Sequence, residues 1–449
     1  MLKKSKSLLI PWLICGLGAL FYAYEYFLRI TPSVMEGALR EHFSLSALGF
    51  GVFSSFYYYS YVPMQLPVGV LMDRYGPRRL LTLACVVSVL GMWFFAATDL
   101  VSLATAGRFL TGFGSAFAFV GVLKLATIWL PEDRLALVAG LASALGTIGA
   151  MVGDNLLGAM VHHIGWKQAV NYTALFGVGL LIVMWFGIHD KKQHLDEDGG
   201  TVSSFHDVLY DLKLIISNRQ VWVNGAIGCL IYLPTTVFAE LWGIPYLAHA
   251  RGLDASSAEF SNSMLFLGCT FGAPLWGLLS DKLKCRILPL RYGALLACIL
   301  ACMMLYVPNV DIRILNIMIF SLGFFYSVQA VVFAVGRELS PDEASGTAIA
   351  MTNMFVMLGA IFMQPLVGKI LDWRVMCRLE SARLASPLTS EQIRALYTAS
   401  DYQLAMLVVP AGVFLAFVLT FFLKETHAHA PGNPMHHCDD NATPPPNQL

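Results

Sequence analysis

Residues 69–79 read Gly-Val-Leu-Met-Asp-Arg-Tyr-Gly-Pro-Arg-Arg, and residues 277–286 follow a similar pattern, Gly-Leu-Leu-Ser-Asp-Lys-Leu-Lys-Cys-Arg. The glycine, the acid and one arginine of the first stretch recur 208 residues later in the second. A second set of landmarks lies 210 residues apart: Gly149-Ala150 and Gly158 correspond to Gly359-Ala360 and Gly368. Two landmarks at nearly one separation predict a chain made of two similar halves; a chance coincidence of glycines is the alternative.

The composition indicates a membrane protein. Of the 449 residues, 57% are apolar and 13% are charged, whereas a soluble domain carries about 25% charged residues. So little charge cannot cover the surfaces of the two or three soluble domains that this length would allow. The 29 basic and 29 acidic residues cancel, so the chain as a whole has no electrostatic attraction to nucleic acid.

Twelve apolar stretches are long enough to cross a bilayer, and each must be a helix because backbone polar groups find no water in hydrocarbon. They lie near residues 8–30, 46–72, 79–97, 101–130, 135–161, 166–188, 221–248, 257–280, 287–307, 312–337, 344–371 and 402–423. The first follows a lysine-rich start like a signal peptide, but its length and the lack of a small-residue cleavage site predict an uncleaved helix. The predicted fold class is an all-α membrane protein with twelve transmembrane helices in two pseudo-symmetric six-helix bundles.

Polar intervals predict the domain boundaries. We expect an N-terminal bundle at 1–188, a cytoplasmic linker at 189–219, a C-terminal bundle at 220–424 and a disordered cytoplasmic tail at 425–449. Seventeen of the 29 lysines and arginines fall on the side of the N-terminus and eight on the other side, which predicts that both termini lie in the cytoplasm, at the cell membrane. The tail contains four histidines and a cysteine, which we interpret as part of a disordered segment rather than as a metal site: His427, His429, His436, His437 and Cys438.

Two motifs resemble those of the major facilitator superfamily. Residues 69–79 resemble its loop-2/3 signature, and residues 107–112, Gly-Arg-Phe-Leu-Thr-Gly, resemble its fourth-helix arginine motif. The resemblance implies the major facilitator fold and a gate latch between the halves, in which Asp73 meets the positive N-terminal end of span 11 near residues 342–345. The alternative is that the arginines of this motif set the orientation of the protein in the membrane, and a motif can have both roles. The gate motif comprises Gly69, Asp73, Arg74, Gly76, Arg78, Arg79 and the later counterpart Asp281.

A few ionisable residues fall inside the predicted spans, where charge is costly and usually faces a cavity or a partner. Glu25 and Arg29 lie one helical turn apart on one face of span 1, and Glu240 lies in span 7, the repeat counterpart of span 1. Burial raises the pKa of a carboxylate and a neighbouring cation lowers it, so alternating access could load and release a proton at Glu25. A static ion pair is the alternative. An acid in each half suggests that both acids share one cavity.

Arg108 and Asp154 complete the proton-coupling candidates. The guanidinium of Arg108 suits a carboxylate of the protein or of a substrate, and the resemblance implies a role in coupling or binding; purely structural pairing is the alternative. Lys124, about 160° around the same helix, should point elsewhere, towards the cytoplasmic interface. Asp154 follows a glycine-rich stretch of span 5 that we expect to pack on a neighbour such as span 8 at Gly268 and Gly272; pairing, protonation and exposure to a lumen remain open for this acid.

Aromatic and amide side chains in the spans form a plausible substrate pocket. Any single tyrosine is more often a packing or interface residue, but together with two acids and an arginine they suit a small zwitterion. The pocket candidates are Tyr22, Tyr26, Tyr57, Tyr61, Gln65, Tyr232, Trp242, Tyr326, Gln329 and Asn353.

These features predict a proton-coupled secondary transporter that works by rocker-switch alternating access. Residues 24–29 and 57–65 resemble phagosomal nutrient transporters, bacterial importers of amino acids and nucleosides, which implies an amino acid or short peptide as substrate. An organic-anion or siderophore-like transporter or exporter, and a non-transporting membrane receptor, are the alternatives. The sequence has no GxxxxGK[ST] motif for ATP and no HExxH or nucleophile motif, so we expect no enzyme activity, cofactor or metal. The expected partners are a small-molecule substrate, protons and the lipid bilayer, with the protein as a monomer.

Overall fold

The computed structural model describes residues 2–131, 134–189, 205–341, 344–381 and 390–426. Within these ranges the chain forms helices and no strand. The first half contains α1 (Leu2–Val34), α2 (Glu36–His42), α3 (Ala47–Tyr75), α4 (Pro77–Ala97), α5 (Val101–Ser115), α6 (Ala118–Trp129), α7 (Leu135–Val152), α8 (Gly158–Ile164) and α9 (Trp166–Gly187). The second half contains α10 (Phe205–Ser217), α11 (Arg219–Ile231), α12 (Gly243–Arg251), α13 (Ala255–Leu283), α14 (Ile287–Tyr306), α15 (Ile312–Tyr326), α16 (Val331–Glu338), α17 (Ser345–Ser381), α18 (Ser390–Ala395), α19 (Ala399–Met406) and α20 (Val408–Leu419).

The described helices confirm the predicted all-α membrane fold. Among the described residues, eleven helical segments are long and apolar enough to cross a membrane. The helix at the predicted second span, α3, is 29 residues long, but its tyrosines, serines and glutamine make it more polar than the other eleven. Its polar character follows from its position, because α3 packs between the two halves of the chain and lines the space between them.

Two spans are interrupted by π-helical turns. Residues Gly153–Leu157 connect α7 to α8, and residues Pro234–Trp242 connect α11 to α12. π-Helical turns change the direction of side chains within a continuous helix and occur frequently at functional sites. Each of these segments holds one of the predicted intramembrane acids, Asp154 in the first and Glu240 in the second.

The packing of span 5 differs from the prediction. Its glycines contact α1: Gly149 lies against the carbonyl of Ala23, and Gly146 lies against two tyrosine rings. Gly268 instead lies against the backbone of α15. The expected pairing of these glycines was therefore wrong, although spans 5 and 8 do meet through other side chains, such as Thr147 and Thr270, whose hydroxyl oxygens are 2.7 Å apart.

The predicted linker and tail are covered only in part. Residues 190–204 and 427–449, including the histidines and the cysteine of the tail, lie outside the described residues. The last part of the linker forms α10, which begins at Phe205. The boundaries at 189, 220 and 425 remain predictions.

Candidate functional site

A cavity of about 640 Å³ lies between the two halves of the chain. Its floor includes Tyr26, Tyr61 and Met357, and its other end includes Asp73 of α3 and Thr347 in the first turn of α17. Asp73 lies beside the turn between α3 and α4. We call the end of the bundle that carries this turn and its repeat at residues 281–286 the basic face, and the other end the opposite face. The cavity therefore extends from mid-bundle towards the basic face.

Eight of the ten predicted pocket residues line this cavity, and both halves of the chain contribute. The eight are Tyr22, Tyr26, Tyr61, Gln65, Tyr232, Tyr326, Gln329 and Asn353. The Nδ2 atom of Asn353 donates a hydrogen bond of 2.8 Å to Oε1 of Gln65 across the two halves. Phenol and amide groups of this kind hydrogen-bond to hydroxyl and carboxyl groups, so the lining is suited to a small polar solute.

The other two pocket candidates do not line the cavity. Tyr57 is buried below the floor, where its hydroxyl donates a hydrogen bond to Glu25. Trp242 is also buried, and its Nε1 donates to the carbonyl oxygen of Gln364 at 3.0 Å. The sequence places both on the correct spans, but depth along a helix depends on packing between helices and not on spacing within one.

Below the floor lies a group of five buried side chains that we call the charge cluster: Glu25, Arg29, Tyr57, Tyr58 and Glu240. The Nε atom of Arg29 donates to Oε1 of Glu25 at 3.1 Å, and its Nη1 lies 3.5 Å from Oε1 of Glu240. Tyr57 donates to Glu25 and Tyr58 donates to Glu240. The two predicted acids therefore meet, as an acid from each half shares one cation from the first half.

One layer of side chains separates the charge cluster from the cavity. The guanidinium carbon of Arg29 lies 4.3 Å from the ring centre of Tyr26 and 5.0 Å from that of Tyr61. Its Nη1 lies 3.9 Å from the sulfur of Met357. These three side chains form the floor, and the two aromatic rings stabilise the cation through their faces. Arg29 is thus next to the cavity without being open to it.

The carboxylates of the charge cluster are only partly satisfied. Oε2 of Glu25 and Oε1 of Glu240 are buried and accept no hydrogen bond from the described residues. Such a group is costly to bury, and one guanidinium is held between two acids. The cluster therefore has room for a further donor, either a proton or a group from a ligand.

Arg108 contacts no carboxylate among the described residues, which fits the structural alternative, and its role in coupling or substrate binding remains a prediction. Its Nη1 and Nη2 donate to the backbone carbonyls of Leu28 at 3.0 Å and Arg29 at 3.2 Å. Pro32, four residues after Leu28, has no N–H to donate to that carbonyl. Arg108 replaces this missing donor inside the membrane, where a bare carbonyl is costly, and so fixes the part of α1 that carries Arg29.

Asp154 lies apart from the charge cluster. Its Oδ2 accepts a hydrogen bond of 2.8 Å from Nδ2 of Asn262 on α13. Of the five proton-coupling candidates, the structure therefore brings Glu25, Arg29 and Glu240 together. Arg108 supports α1, the helix that carries Glu25 and Arg29, and Asp154 lies at the interface of spans 5 and 8.

The gate motif is at the basic face, and its two copies differ. Oδ1 of Asp73 lies 2.6 Å from Nζ of Lys124, so Lys124 reaches the basic face and pairs there. The later counterpart Asp281 lies 2.6 Å from Arg286, which also contacts Glu338 at 2.7 Å. Residues 342 and 343 lie outside the described residues. The predicted contact between Asp73 and span 11 remains a prediction for another state.

The remaining motif residues shape the turn between α3 and α4. Gly76 has φ of +79°, a conformation that favours glycine, and α4 begins at Pro77. Arg78 donates to the carbonyl of Trp185 at 2.9 Å. Arg74 and Arg79 are exposed and Gly69 lines the cavity.

At the opposite face, α3 and α17 are joined by Asp372. Its Oδ1 and Oδ2 accept hydrogen bonds from the backbone N–H groups of Ala47 and Leu48 at 3.1 and 2.8 Å. Tyr397 donates to Asp372 at 2.7 Å and accepts from Arg40 at 3.1 Å. Burial raises the pKa of Tyr397 well above its usual value, so its hydroxyl keeps the proton that it donates. These contacts join the halves and close the cavity on this side.

The family profile of the Major Facilitator Superfamily matches residues 15–364. The chain belongs to this superfamily. It is 26% identical over 404 residues to a probable galactarate/D-glucarate transporter of Bacillus subtilis (strain 168), which covers 82% of this chain and 87% of the relative. It is 23% identical over 380 residues to a probable hexose phosphate transport protein of Chlamydia pneumoniae, covering 78% and 83%.

The fold is also that of a solved structure. A bacterial homologue of the human lysosomal transporter Spinster, in an inward-facing and unoccupied conformation, superposes with a TM-score of 0.75 at 14% identity, covering 92% of this chain and 97% of the other. Together with the family match, this establishes a multi-pass membrane transporter fold. The protein is a transporter of the superfamily rather than an enzyme.

Sequence reasoning missed four side chains of this site. They are Tyr58 and Met357 at the charge cluster and its floor, Lys124 as the partner of Asp73, and Asp372 at the opposite face. Tyr58 stands in the tyrosine-rich stretch that the sequence did single out. Asp372 follows the predicted end of span 11 by one residue, and an acid just beyond an apolar run is a signal that could have pointed to it.

Proposed function

We propose that the protein takes up a small organic anion together with protons by rocker-switch alternating access. The observation that carries this proposal is the position of Arg29, a cation shared by two buried carboxylates, directly below the floor of a cavity between the two halves. A buried cation in such a place attracts an anionic group of a solute in the cavity.

The chemistry of the relatives supports an anion. Galactarate, D-glucarate and hexose phosphate, which appear in their names, all carry carboxylate or phosphate groups. They also carry several hydroxyls, and the tyrosine, glutamine and asparagine side chains of the lining can hydrogen-bond to these. This favours the organic-anion alternative over the amino acid or peptide that the narrower sequence resemblance implied.

Proton coupling follows from the shared cation. An anion that reaches Arg29 competes with Glu25 and Glu240 for one guanidinium. Because a buried carboxylate without a cation is disfavoured in its ionised form, we propose that the displaced acid takes up a proton as the anion binds. Anion and proton then cross together, and a proton gradient drives uptake.

The orientation that we propose rests on the distribution of the basic residues. The basic face, which carries Arg74, Arg78 and Arg79, is placed in the cytoplasm with both termini, and the membrane is the bacterial inner membrane. Residues 1–188 and 220–424 rock as two bundles around the cavity, joined by the linker at 189–219. In this assignment the structure is closed to the outside and open to the cytoplasm, and the protein works as a monomer.

An amino acid remains a second candidate because of one observation. The charge cluster offers two carboxylates as well as a cation, so the α-ammonium and α-carboxylate of an amino acid could each find an opposite charge. A sugar acid or a sugar phosphate has no cationic group for the carboxylates, and this difference separates the candidates in one experiment.

The test is counterflow in proteoliposomes that contain the purified full-length protein. D-Glucarate, glucose 6-phosphate, a panel of amino acids and nucleosides are compared, with and without a proton gradient. We expect exchange of at least one organic anion and gradient-driven accumulation of the same solute. Exchange of amino acids alone would favour the second candidate, and binding without any uptake would contradict transport and indicate a receptor.

Arg29→Lys makes the test specific to the charge cluster. Lysine keeps the charge but loses the planar fork that serves two acids and an anion, so we expect the half-saturating anion concentration to rise by about tenfold or more. Arg313→Lys is the matched control, because Arg313 is exposed at the start of α15. An unchanged affinity in Arg29→Lys would contradict the role given to Arg29.

A further inference from the structure

Asp154 and Asn262 form a buried polar pair at the interface of spans 5 and 8, one residue from each half of the chain. Both side chains are fully buried. Nδ2 of Asn262 donates to Oδ2 of Asp154 at 2.8 Å and to the carbonyl oxygen of Ala239 at 2.9 Å. The second donor bond fixes the orientation of the amide, because a flipped amide would set its oxygen against two acceptors.

The environment of this pair contains no cation for Asp154 among the described residues. α13 contributes Glu259 in addition to Asn262, and α8 contributes His162, which pairs with Glu259 at 3.0 Å. α1 faces the π-helical turn with Phe27 and Ile30. The segment Pro234–Trp242 contributes the carbonyl of Ala239, next to Glu240. Asp154 thus meets one amide donor, and the acid Glu259 lies about one helical turn away, against Gly158.

The remaining oxygen atoms of the pair are buried without a donor. Oδ1 of Asp154 and Oδ1 of Asn262 accept no hydrogen bond from the described residues. An ionised carboxylate in this place would be a buried charge with neither a cation nor a full set of donors. By contrast, Glu25 and Glu240 both have Arg29. A neutral acid at Asp154 removes the charge and makes the contact an acid–amide pair.

Two polar side chains, Glu259 and His162, lie between Asp154 and the opposite face. Asp154, Gly158 and His162 follow one another at intervals of four residues and lie on one side of span 5. Gly158 has no side chain, and the carboxylate of Glu259 lies directly against it. His162 is partly exposed and contacts the same carboxylate. His162 and Glu259 can therefore pass a proton between the surface and the interior of this interface.

We propose that Asp154 is a second proton-binding site, separate from the charge cluster, which is protonated when spans 5 and 8 close at the opposite face and ionised when they part. In the closed form the acid is paired with Asn262 and neutral. When the halves separate there, Asp154 loses Asn262, gains water and releases its proton through Glu259 and His162. The direction of this proton, to and from the outside, rests on the orientation given under the proposed function.

Infrared spectroscopy of the purified full-length protein at neutral pH tests the protonation without any substrate. A protonated carboxylic acid has a C=O stretching band that a carboxylate lacks. We expect this band in the wild type and in the exposed-acid control Asp254→Asn, and its loss or reduction in Asp154→Asn. An identical band region in the wild type and Asp154→Asn would overturn the proposal. The result does not depend on which solute is transported, so it is independent of the proposed function.

A transport measurement tests the coupling to closure. In counterflow at equal pH on both sides, raising the pH above neutral should slow the wild type, and Asp154 should contribute up to about tenfold per pH unit to this slope, the limit for one required proton. Asp154→Asn, which is permanently neutral and nearly isosteric, should lose this contribution and keep only the slope of the proton taken up at the charge cluster. A slope that is the same in Asp154→Asn and the wild type would overturn the assignment of the gating proton to Asp154. Asp254→Asn should retain the wild-type slope.

Discussion

The carboxylate of Asp372, on α17, accepts a hydrogen bond of 3.1 Å from the backbone N–H of Ala47, the first residue of α3. An acid from the second half thus caps a helix of the first half, where the helix dipole favours negative charge. Gly368, four residues before Asp372 on α17, lies against the backbone of Ala47, and the contact leaves no space for a side chain at residue 368. The closure of the opposite face therefore depends on direct contact between these two helices.

Asp372→Asn should weaken this closure. The amide has one acceptor oxygen in place of two, so the closed form should lose about 1–2 kcal/mol. The measurement is the labelling rate, from the opposite face, of a cysteine introduced at the end of the cavity nearest that face. This rate should rise several-fold. Asp311→Asn is the control, because Asp311 caps α15 within its own half. Equal labelling in Asp372→Asn and the wild type would rule out the cross-half cap as a gate contact.

Glu25→Gln should separate exchange from driven uptake. Glutamine keeps the size of the side chain but cannot take up the proton that an arriving anion displaces, so accumulation under a proton gradient should fall by more than about tenfold. Counterflow exchange should survive. The comparison is with Glu41→Gln, an exposed acid near the end of α2. Intact gradient-driven uptake in Glu25→Gln would remove Glu25 from the coupling mechanism.

Arg108→Lys should act through stability of α1 and not through a carboxylate. Lysine cannot serve the carbonyls of both Leu28 and Arg29 with a planar fork, and we expect a loss of about 1–3 kcal/mol in thermal unfolding. Pro32→Ala restores the missing backbone donor to Leu28, so the loss should be smaller in that background. A double-mutant cycle measures the difference; additive effects would show that Arg108 does not replace the donor missing at Pro32.

Lys124→Met should shift the protein away from the state with the cavity open to the basic face. The pair of Lys124 with Asp73 is partly exposed, so its loss is worth at most about 1 kcal/mol, or up to about a fivefold change in population. Labelling of a cysteine inside the cavity from the basic face should decrease accordingly. Lys213→Met, which changes an exposed lysine on α10, should leave labelling unchanged, and faster labelling in Lys124→Met would contradict a stabilising pair.

The sequence was sufficient for those features that depend on one helix at a time. Apolar length predicted the spans, helical spacing placed Glu25 beside Arg29, and residue type within the spans indicated eight of the polar side chains around one cavity. Partners on different helices were harder, because they depend on helix rotation and depth. Asp73 meets Lys124, and Arg108 meets the backbone carbonyls of Leu28 and Arg29, through contacts between spans that no local pattern specifies.

The thin floor of the cavity has a kinetic consequence. Tyr26, Tyr61 and Met357 are buried, so they change rotamer more slowly than exposed side chains, which do so in picoseconds to nanoseconds. A rotamer change of three side chains is still a smaller rearrangement than the movement of transporter helices, which takes microseconds to milliseconds. A solute can therefore sample Arg29 many times before the bundles respond. An anion that binds the guanidinium stays in the cavity until the helices move, whereas an anion that does not bind it leaves before they move. If Arg29 binds the anion as proposed, selection at this floor is set by residence time in addition to the shape of the cavity.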